Sequence, residues 1–451
     1  MSKSPLKLNT TLKMMKRLYS HKYGLINTAR ESEPAITEVS INNERYALGN
    51  MIPMYITSVQ KGESNIFHGS GASLNQDRSK IKAYGEFIER FCGAYSVGEQ
   101  LPNLLVETQE NLELNNMPFY GFDGLLPFEN FQYDIPTFPY HKYSPKHKMT
   151  WIEGEDVTCG KKTWLPTQKV LIAYPYHDDE LHYIDGISTG LACGETFKHA
   201  SVSALLEVIE RDSFMLTWVL KMPGIRIVMD DFRNAGLKAL YNHFLKHLVG
   251  EDRLYIYDIS RTGGVYTIMT FIRNNLCEAF GLIVATASHT DPEIALLKSL
   301  EELCLTQSFS YNALIKDKER ICQNMKPEEV YDLEKHLLYY STGRHSHNID
   351  FISASEKSVN LSALPDYATT SVVGDFEYLI DLFRQQGCPA FFIDVTKPEI
   401  RKIGFSVVKS IVPGYVDLEV THNARHLKSE RFNRYRNEGF LEINDNPHPF
   451  P

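Results

Sequence analysis

Three short stretches carry the residues best placed to do chemistry. "KAYGEFIERF" (Lys82 to Phe91) holds Glu86, Glu89 and Arg90. "SALLEVIERD" (Ser203 to Asp212) repeats the pattern Ala-x-x-Glu-x-Ile-Glu-Arg with Glu207, Glu210 and Arg211, offset by 121 positions. "LLKSLEEL" (Leu296 to Leu303) adds Lys298 and Glu302, four residues apart. Carboxylate oxygens are hard donors suited to Mg2+, which shares its coordination with substrate phosphates. Guanidinium and ammonium groups beside them are suited to the phosphates themselves. Carboxylates interleaved with cations, in one pattern used twice and a Lys/Glu pair on a third stretch, therefore suggest a site for a polyphosphate with divalent cations.

The elements that must position these groups are helices. At about 100° per residue, Ser203, Glu210 and Arg211 fall within about 60° of Glu207, while apolar side chains occupy most of the remaining circumference. A surface helix shows a limited apolar stripe and a broad polar face. The second stretch is the reverse, so it is covered on most sides and its charged strip faces something other than bulk water. The first copy behaves alike: Lys82, Glu86, Glu89 and Arg90 share a strip, and Tyr84, Phe87, Ile88, Phe91 and Tyr95 fill the rest. Buried carboxylates need partners. Two arrangements supply them, ion pairs between the helices closed by Arg90 and Arg211, or cations bound opposite. The third helix starts with Asp291 as N-cap and Pro292 at its first position. "DGISTGLACGETFKHASVSALLE" places a glycine-containing loop before the second helix, with Thr196 as its N-cap, a helix start suited to phosphate. No P-loop and no kinase signature occurs.

The chain of 451 residues suffices for one large domain or two moderate ones, and no linker rich in Pro, Gly or Ser divides it. Its 43% hydrophobic and 23% charged residues are ordinary for a globular protein. A net charge of −9 argues against nucleic acid as partner. Seven scattered cysteines, with no Cys-x-x-Cys, suggest neither a disulfide framework nor a zinc knuckle and fit a reducing cytoplasm. No run approaches the length of a membrane span. The basic N-terminal stretch reads as an ordinary first helix. Runs such as "RLYIYDIS", "YTIMTFI", "FGLIVATA", "AFFIDVT" and "FSVVKSIVPG" read as strands. The expected class is α+β, sheets packed with helices. Residues 118–145 read as a long surface excursion, and His422, Arg425 and Arg431 as surface charges.

"GSGASLNQDRSKIKAYGEFIERF", "STGLACGETFKHASVSALLEVIERDSF", "LLKSLEEL" and "VVKSIVPG" together resemble the YcaO superfamily of ATP-dependent peptide-modifying enzymes. The resemblance runs from about Tyr23 to the end. It implies a YcaO-type fold, a single catalytic domain over residues 1–440, and two pseudo-repeated Glu-x-x-Glu-Arg helices lining one nucleotide site. By matching, Glu86, Glu89, Glu207, Glu210 and Glu302 would bind Mg2+. Arg90, Arg211 and Lys298 would face the phosphates of ATP, and Lys82, Thr189 and Ser203 would belong to the nucleotide pocket. Lys82 stands where the family commonly has Ser, Thr189 where many members have Asn, and Ser70 where a Lys is common.

The last residues, "NPHPFP", alternate proline to the terminus. Such a tail favours an extended polyproline II form. Within the family, residues 441–451 resemble the tail of azoline-forming cyclodehydratases, which reaches the active site. That implies the subunit of streptolysin-S-type, thiazole/oxazole-modified peptide biosynthesis. Cys, Ser or Thr of a ribosomal precursor peptide would be closed to thiazoline or oxazoline through phosphorylation of the amide oxygen. The Pro451 carboxylate would serve as general base. The expected partners are the precursor peptide, a separate E1-like protein that captures its leader, and a flavin-dependent dehydrogenase, with the chain a homodimer within that complex in the cytoplasm. Two alternatives stand beside this, a YcaO enzyme making thioamides or amidines, and a non-catalytic docking scaffold.

Overall fold

The computed structural model describes residues 5–32, 38–41, 44–47, 52–62, 66–96, 99, 103–248, 253–273, 281–316, 325–341 and 343–450. Helices and sheets intermix along the chain, as expected for α+β. A five-stranded sheet runs in the order Leu282–His289, Tyr266–Arg273, Arg253–Asp258, Ile225–Val228, Ser358–Asn360. Another sheet runs Leu104–Thr108, Lys148–Asp156, Phe391–Asp394, Ser406–Ile411, Leu191–Gly194, with Lys161–Pro166 pairing on Lys148–Asp156. A three-stranded sheet joins Thr28–Ser32, Tyr55–Gln60 and His68–Ser73. The five strand-like runs read from the sequence all lie in the two larger sheets.

The acidic stretches are helices, Gln76–Gly93 and Phe197–Val219, and the third lies within Pro292–Lys316. Local signals set their starts. The Asn75 side chain accepts the Arg78 amide, Thr196 accepts His199, and Asp291 accepts the Glu293 amide. Each of the first two follows a short strand closely, so the repeat in sequence is a strand–turn–helix repeat in space. Helix Phe197–Val219 is buried along most of its length. Its first half packs against helix Val372–Gln386 and strands Phe391–Asp394 and Ser406–Ile411. Its second half enters the main core with Phe214, Met215, Leu216, Trp218 and Val219, under the five-stranded sheet and helix Pro292–Lys316.

Close packing of strand His68–Ser73 on helix Gln76–Gly93 depends on glycine. A Cβ at Gly69 would lie 2.2 Å from the Ala83 carbonyl oxygen, so no larger residue fits. Residues 118–145 are only in part the surface excursion expected. Phe122, Leu125, Leu126, Phe128 and Tyr140 are buried in the core with helix Gln76–Gly93 and strand Lys148–Asp156. The reason lies in ring packing: Phe128 meets Phe138 and Tyr140 at 5.1 Å each, a cluster that supplies core area without regular structure. Arg431 is likewise no surface charge. It pairs with the fully buried Asp212 at 2.7 Å and lies over the Tyr415 ring. Among the described residues no helix is long and apolar enough to cross a membrane.

Candidate active site

A cavity of about 900 Å³ opens between the three acidic helices, at the large end of small-molecule pockets. Glu86, Glu89, Glu207, Glu210, Glu302, Lys82, Arg90, Thr189, Ser203, Arg211 and Lys298 all line it. Of the residues singled out in the sequence, only Pro451 is missing from this group, because it lies outside the described residues. Its neighbour Phe450 lines the wall.

The two repeats hold their carboxylates in matching ways. Glu86 Oε2 accepts the Ser70 amide at 2.6 Å, and Glu207 Oε2 accepts the Gly190 amide at 3.2 Å, each from the segment preceding its own helix. The second glutamate of each pair reaches a neighbouring strand. Glu89 accepts from Cys193 N–H at 2.8 Å, and Glu210 from Ser288 N–H at 3.1 Å and the Thr286 hydroxyl at 2.8 Å. Arg90 then pairs with Glu86 at 2.6 Å, and Arg211 with Glu210 at 2.8 Å and Glu207 at 3.5 Å. The pairing expected between the helices is therefore not what Arg90 and Arg211 make: each bridges within its own helix, and the carboxylates still face a shared cavity.

Electrostatics separates the carboxylates. Burial pushes Glu89 well above the ordinary range, with Glu207 and Glu86 adding to it. Burial also raises Glu207 to about 7 although Arg211 opposes the shift, and it raises Glu302. Lys298 is pulled down to about 8 by burial against the attraction of Glu210. These groups are underpaired in charge, the condition in which an added cation is favourable. Glu301, next in sequence to Glu302, behaves oppositely. Burial would raise it, but Lys82 and Arg78 hold it below the usual value. Lys82 meets Glu301 at 2.8 Å, Arg78 meets it at 3.2 Å, and the Ser73 hydroxyl donates to it at 2.8 Å. Glu301 ties the first acidic helix to the third.

Hard oxygen donors beside guanidinium and ammonium groups fit a triphosphate with Mg2+. Among the described residues, no three His, Cys, Asp or Glu side chains group closely enough to hold a metal by themselves. Mg2+ is usually bound by one or two carboxylates plus substrate phosphates rather than an all-protein cage.

Sequence reasoning missed three participants. Glu301 was hidden by its neighbour, since two adjacent glutamates look equivalent in "SLEEL". Lys409 was present in "VVKSIVPG" as a lone charge in an apolar strand, a signal that could have found it. Phe450 was hidden between prolines. Its ring lies under the Arg211 guanidinium at 4.3 Å and against Phe214 at 5.1 Å. The tail behind it is clipped: Trp218 Nε1–H donates to Asn446 O at 3.1 Å, the Tyr340 hydroxyl to Pro447 O at 2.6 Å, and His336 Nδ1–H to His448 O at 2.7 Å.

A family profile described as "YcaO cyclodehydratase, ATP- and Mg2+-binding" matches residues 70–416, well over half of the chain. The chain belongs to this family of ATP- and Mg2+-binding cyclodehydratases. Solved structures share the fold. A heterocyclase in complex with substrate and cofactor superposes with TM-score 0.75 at 18% identity, over 98% of this chain and 57% of the other. The chain thus spans little more than half of that heterocyclase. YcaO from Methanopyrus kandleri, bound with AMPPCP and Mg2+, gives TM-score 0.60 at 17% identity over 91% of each chain. The E. coli microcin synthetase McbBCD complex with pro-MccB17 bound gives 0.57 at 16%, over 86% of this chain and 88% of the other.

Proposed function

We propose that this chain forms azolines: it closes Cys, Ser or Thr of a ribosomally made precursor peptide onto the preceding amide, consuming ATP. The observation that supports this best is the convergence of Glu86, Glu89, Glu207, Glu210 and Glu302 with Arg90, Arg211 and Lys298 on one cavity. In the proposed reaction the side-chain sulfur or oxygen bonds to the amide carbon, and the amide oxygen takes the terminal phosphoryl group of ATP. That oxygen departs as phosphate, the amide nitrogen loses its proton, and the C=N bond of the ring forms. The peptide loses one water per ring.

The protein's part is positioning and neutralisation, as in other phosphoryl transfers. Bound Mg2+ would offset phosphate charge. Glu86, Glu89, Glu207, Glu210 and Glu302 are the residues that would hold it. Arg211, Arg90 and Lys298 would orient the phosphates, with Lys82, Thr189 and Ser203 around the nucleotide. The Pro451 carboxylate would accept a proton from the attacking side chain. Appending one residue after Pro451 is expected to stop ring formation while AMPPCP binding persists; rings formed at full rate would remove that role.

The structural neighbour from E. coli is a microcin synthetase complex with pro-MccB17 bound, which supports a reading in which this chain works within a complex. In the proposed reading its companions are a leader-binding E1-like protein and a flavin-dependent dehydrogenase, in the cytoplasm. The deciding experiment mixes chain, neighbouring proteins and precursor with ATP, and follows peptide mass. Loss of water in steps, abolished by Glu207→Ala, is the expected result. Sulfur-for-oxygen exchange instead of water loss would favour the thioamide chemistry, and no ATP turnover would favour a scaffold.

A further inference from the structure

Strand Ser406–Ile411 contributes Val407, Val408 and Ile411 to the core, and among them Lys409 is only 2% exposed. An ammonium group in such surroundings is costly unless fully partnered. Its partners are specific. Nζ–H donates to the Ile187 carbonyl at 2.7 Å and the Thr189 carbonyl at 2.6 Å. Both belong to the irregular loop whose residues Gly186, Ile187, Ser188 and Thr189 line the cavity. The same strand secures the end of that loop. Ser410 N–H donates to Gly190 O at 2.7 Å, and a Cβ at Gly190 would fall 2.4 Å from Ser410 O, on a backbone with φ of +76°. Gly190 N–H in turn donates to Glu207. Glu207 and Asp417 are the acids whose charges favour the Lys409 ammonium, and Lys169 opposes it.

We propose that Lys409 is a positioning residue for the nucleotide pocket: it clamps the Ile187–Gly190 backbone so that this loop and the Glu207 carboxylate present one fixed wall to a nucleoside triphosphate. The inference rests on the function proposed above and goes further by naming what sets that wall. An apolar side chain at 409 would leave two buried carbonyls unpaired and free the loop to move away.

The test is calorimetric titration of the full chain with AMPPCP in the presence of MgCl2, for wild type, Lys409→Met and Lys169→Met. Lys169 pairs with Asp417, so it controls for loss of a buried charge. Lys409→Met, measured while circular dichroism shows it folded, is expected to bind about ten- to a hundredfold more weakly, the usual effect of losing a partner behind a binding shell. Lys169→Met is expected to melt earlier with its dissociation constant within about twofold of wild type. Should Lys409→Met fail to fold, Lys409→Gln, which keeps a donor for one carbonyl, is expected to show an intermediate loss. Wild-type affinity in a folded position-409 variant would overturn the inference alone. Failure of wild type to bind AMPPCP would overturn it together with the proposed function.

Discussion

Glutamates on two of the acidic helices answer to different physics, and the contrast is testable. Glu207 is half-buried with less positive charge beside it than it needs, so its ionised form costs the ligand-free protein stability. Glu207→Gln is expected to raise the melting temperature of the ligand-free chain by a few degrees while weakening Mg2+–AMPPCP binding at least about tenfold, the usual trade between a functional charge and stability. Scanning calorimetry with and without nucleotide reads both. Glu301 is the opposite case, already satisfied by Lys82, Arg78 and Ser73. Glu301→Gln leaves two cations unbalanced and is expected to cost roughly 1–3 kcal/mol of stability in urea titration. Residue types and spacing made Glu86, Glu89, Glu207, Glu210 and Glu302 legible as one group, because helical periodicity maps directly onto a shared face. Which of Glu301 and Glu302 meets Lys82 depends on how two helices approach each other, and no pattern within either helix carries that.

Helices and their caps were the most legible elements, since Thr196, Asp291 and Pro292 act within a turn of their own backbone. The aromatic segment 118–145 was only partly legible, because ring contacts such as Tyr120–Phe391 and Phe122–Tyr183 tie it to residues far along the chain. The C-terminal clip has a pH dependence of definite sign. His336 and His448 stack at 3.8 Å, and burial pulls His336 from its ordinary 6.5 to about 4 and holds His448 well below its ordinary value. Glu419, Arg425, His422 and Asp332 are the titratable and charged groups around them. The folded state therefore favours the neutral rings. Their contribution to docking is complete above about 6.5 and is lost as pH falls towards 4, because the released tail takes up protons first. Trp218 donates to Asn446, so its fluorescence is expected to report release across that interval and recovery on neutralisation. His448→Ala is expected to show the released signal already at pH 7.5. A flat profile would mean that the tail is held by Phe450 and Tyr340 alone.

Across the whole molecule, the α+β class was legible from alternating strand and helix patterns, whereas the order of strands was not. Ser406–Ile411 lies between Phe391–Asp394 and Leu191–Gly194, partners separated from each other by nearly half the chain, and local sequence holds no record of such pairing. A cavity bordered by all three acidic helices predicts global coupling to its ligand. Saturation with Mg2+ and AMPPCP at about a hundredfold over the dissociation constant is expected to stabilise the fold by roughly 2.7 kcal/mol, read as a higher melting temperature, and Mg2+ chelation should reverse it. The strand–turn–helix units have a consequence for how the chamber is assembled. Each of the first two gives its first glutamate to its own leading segment and its second to the strand of the next unit, Glu89 to Leu191–Gly194 and Glu210 to Leu282–His289. The third helix, Pro292–Lys316, follows Leu282–His289 and completes that succession. The wall is therefore built by hand-over, so a slip in one unit passes to the next instead of staying local.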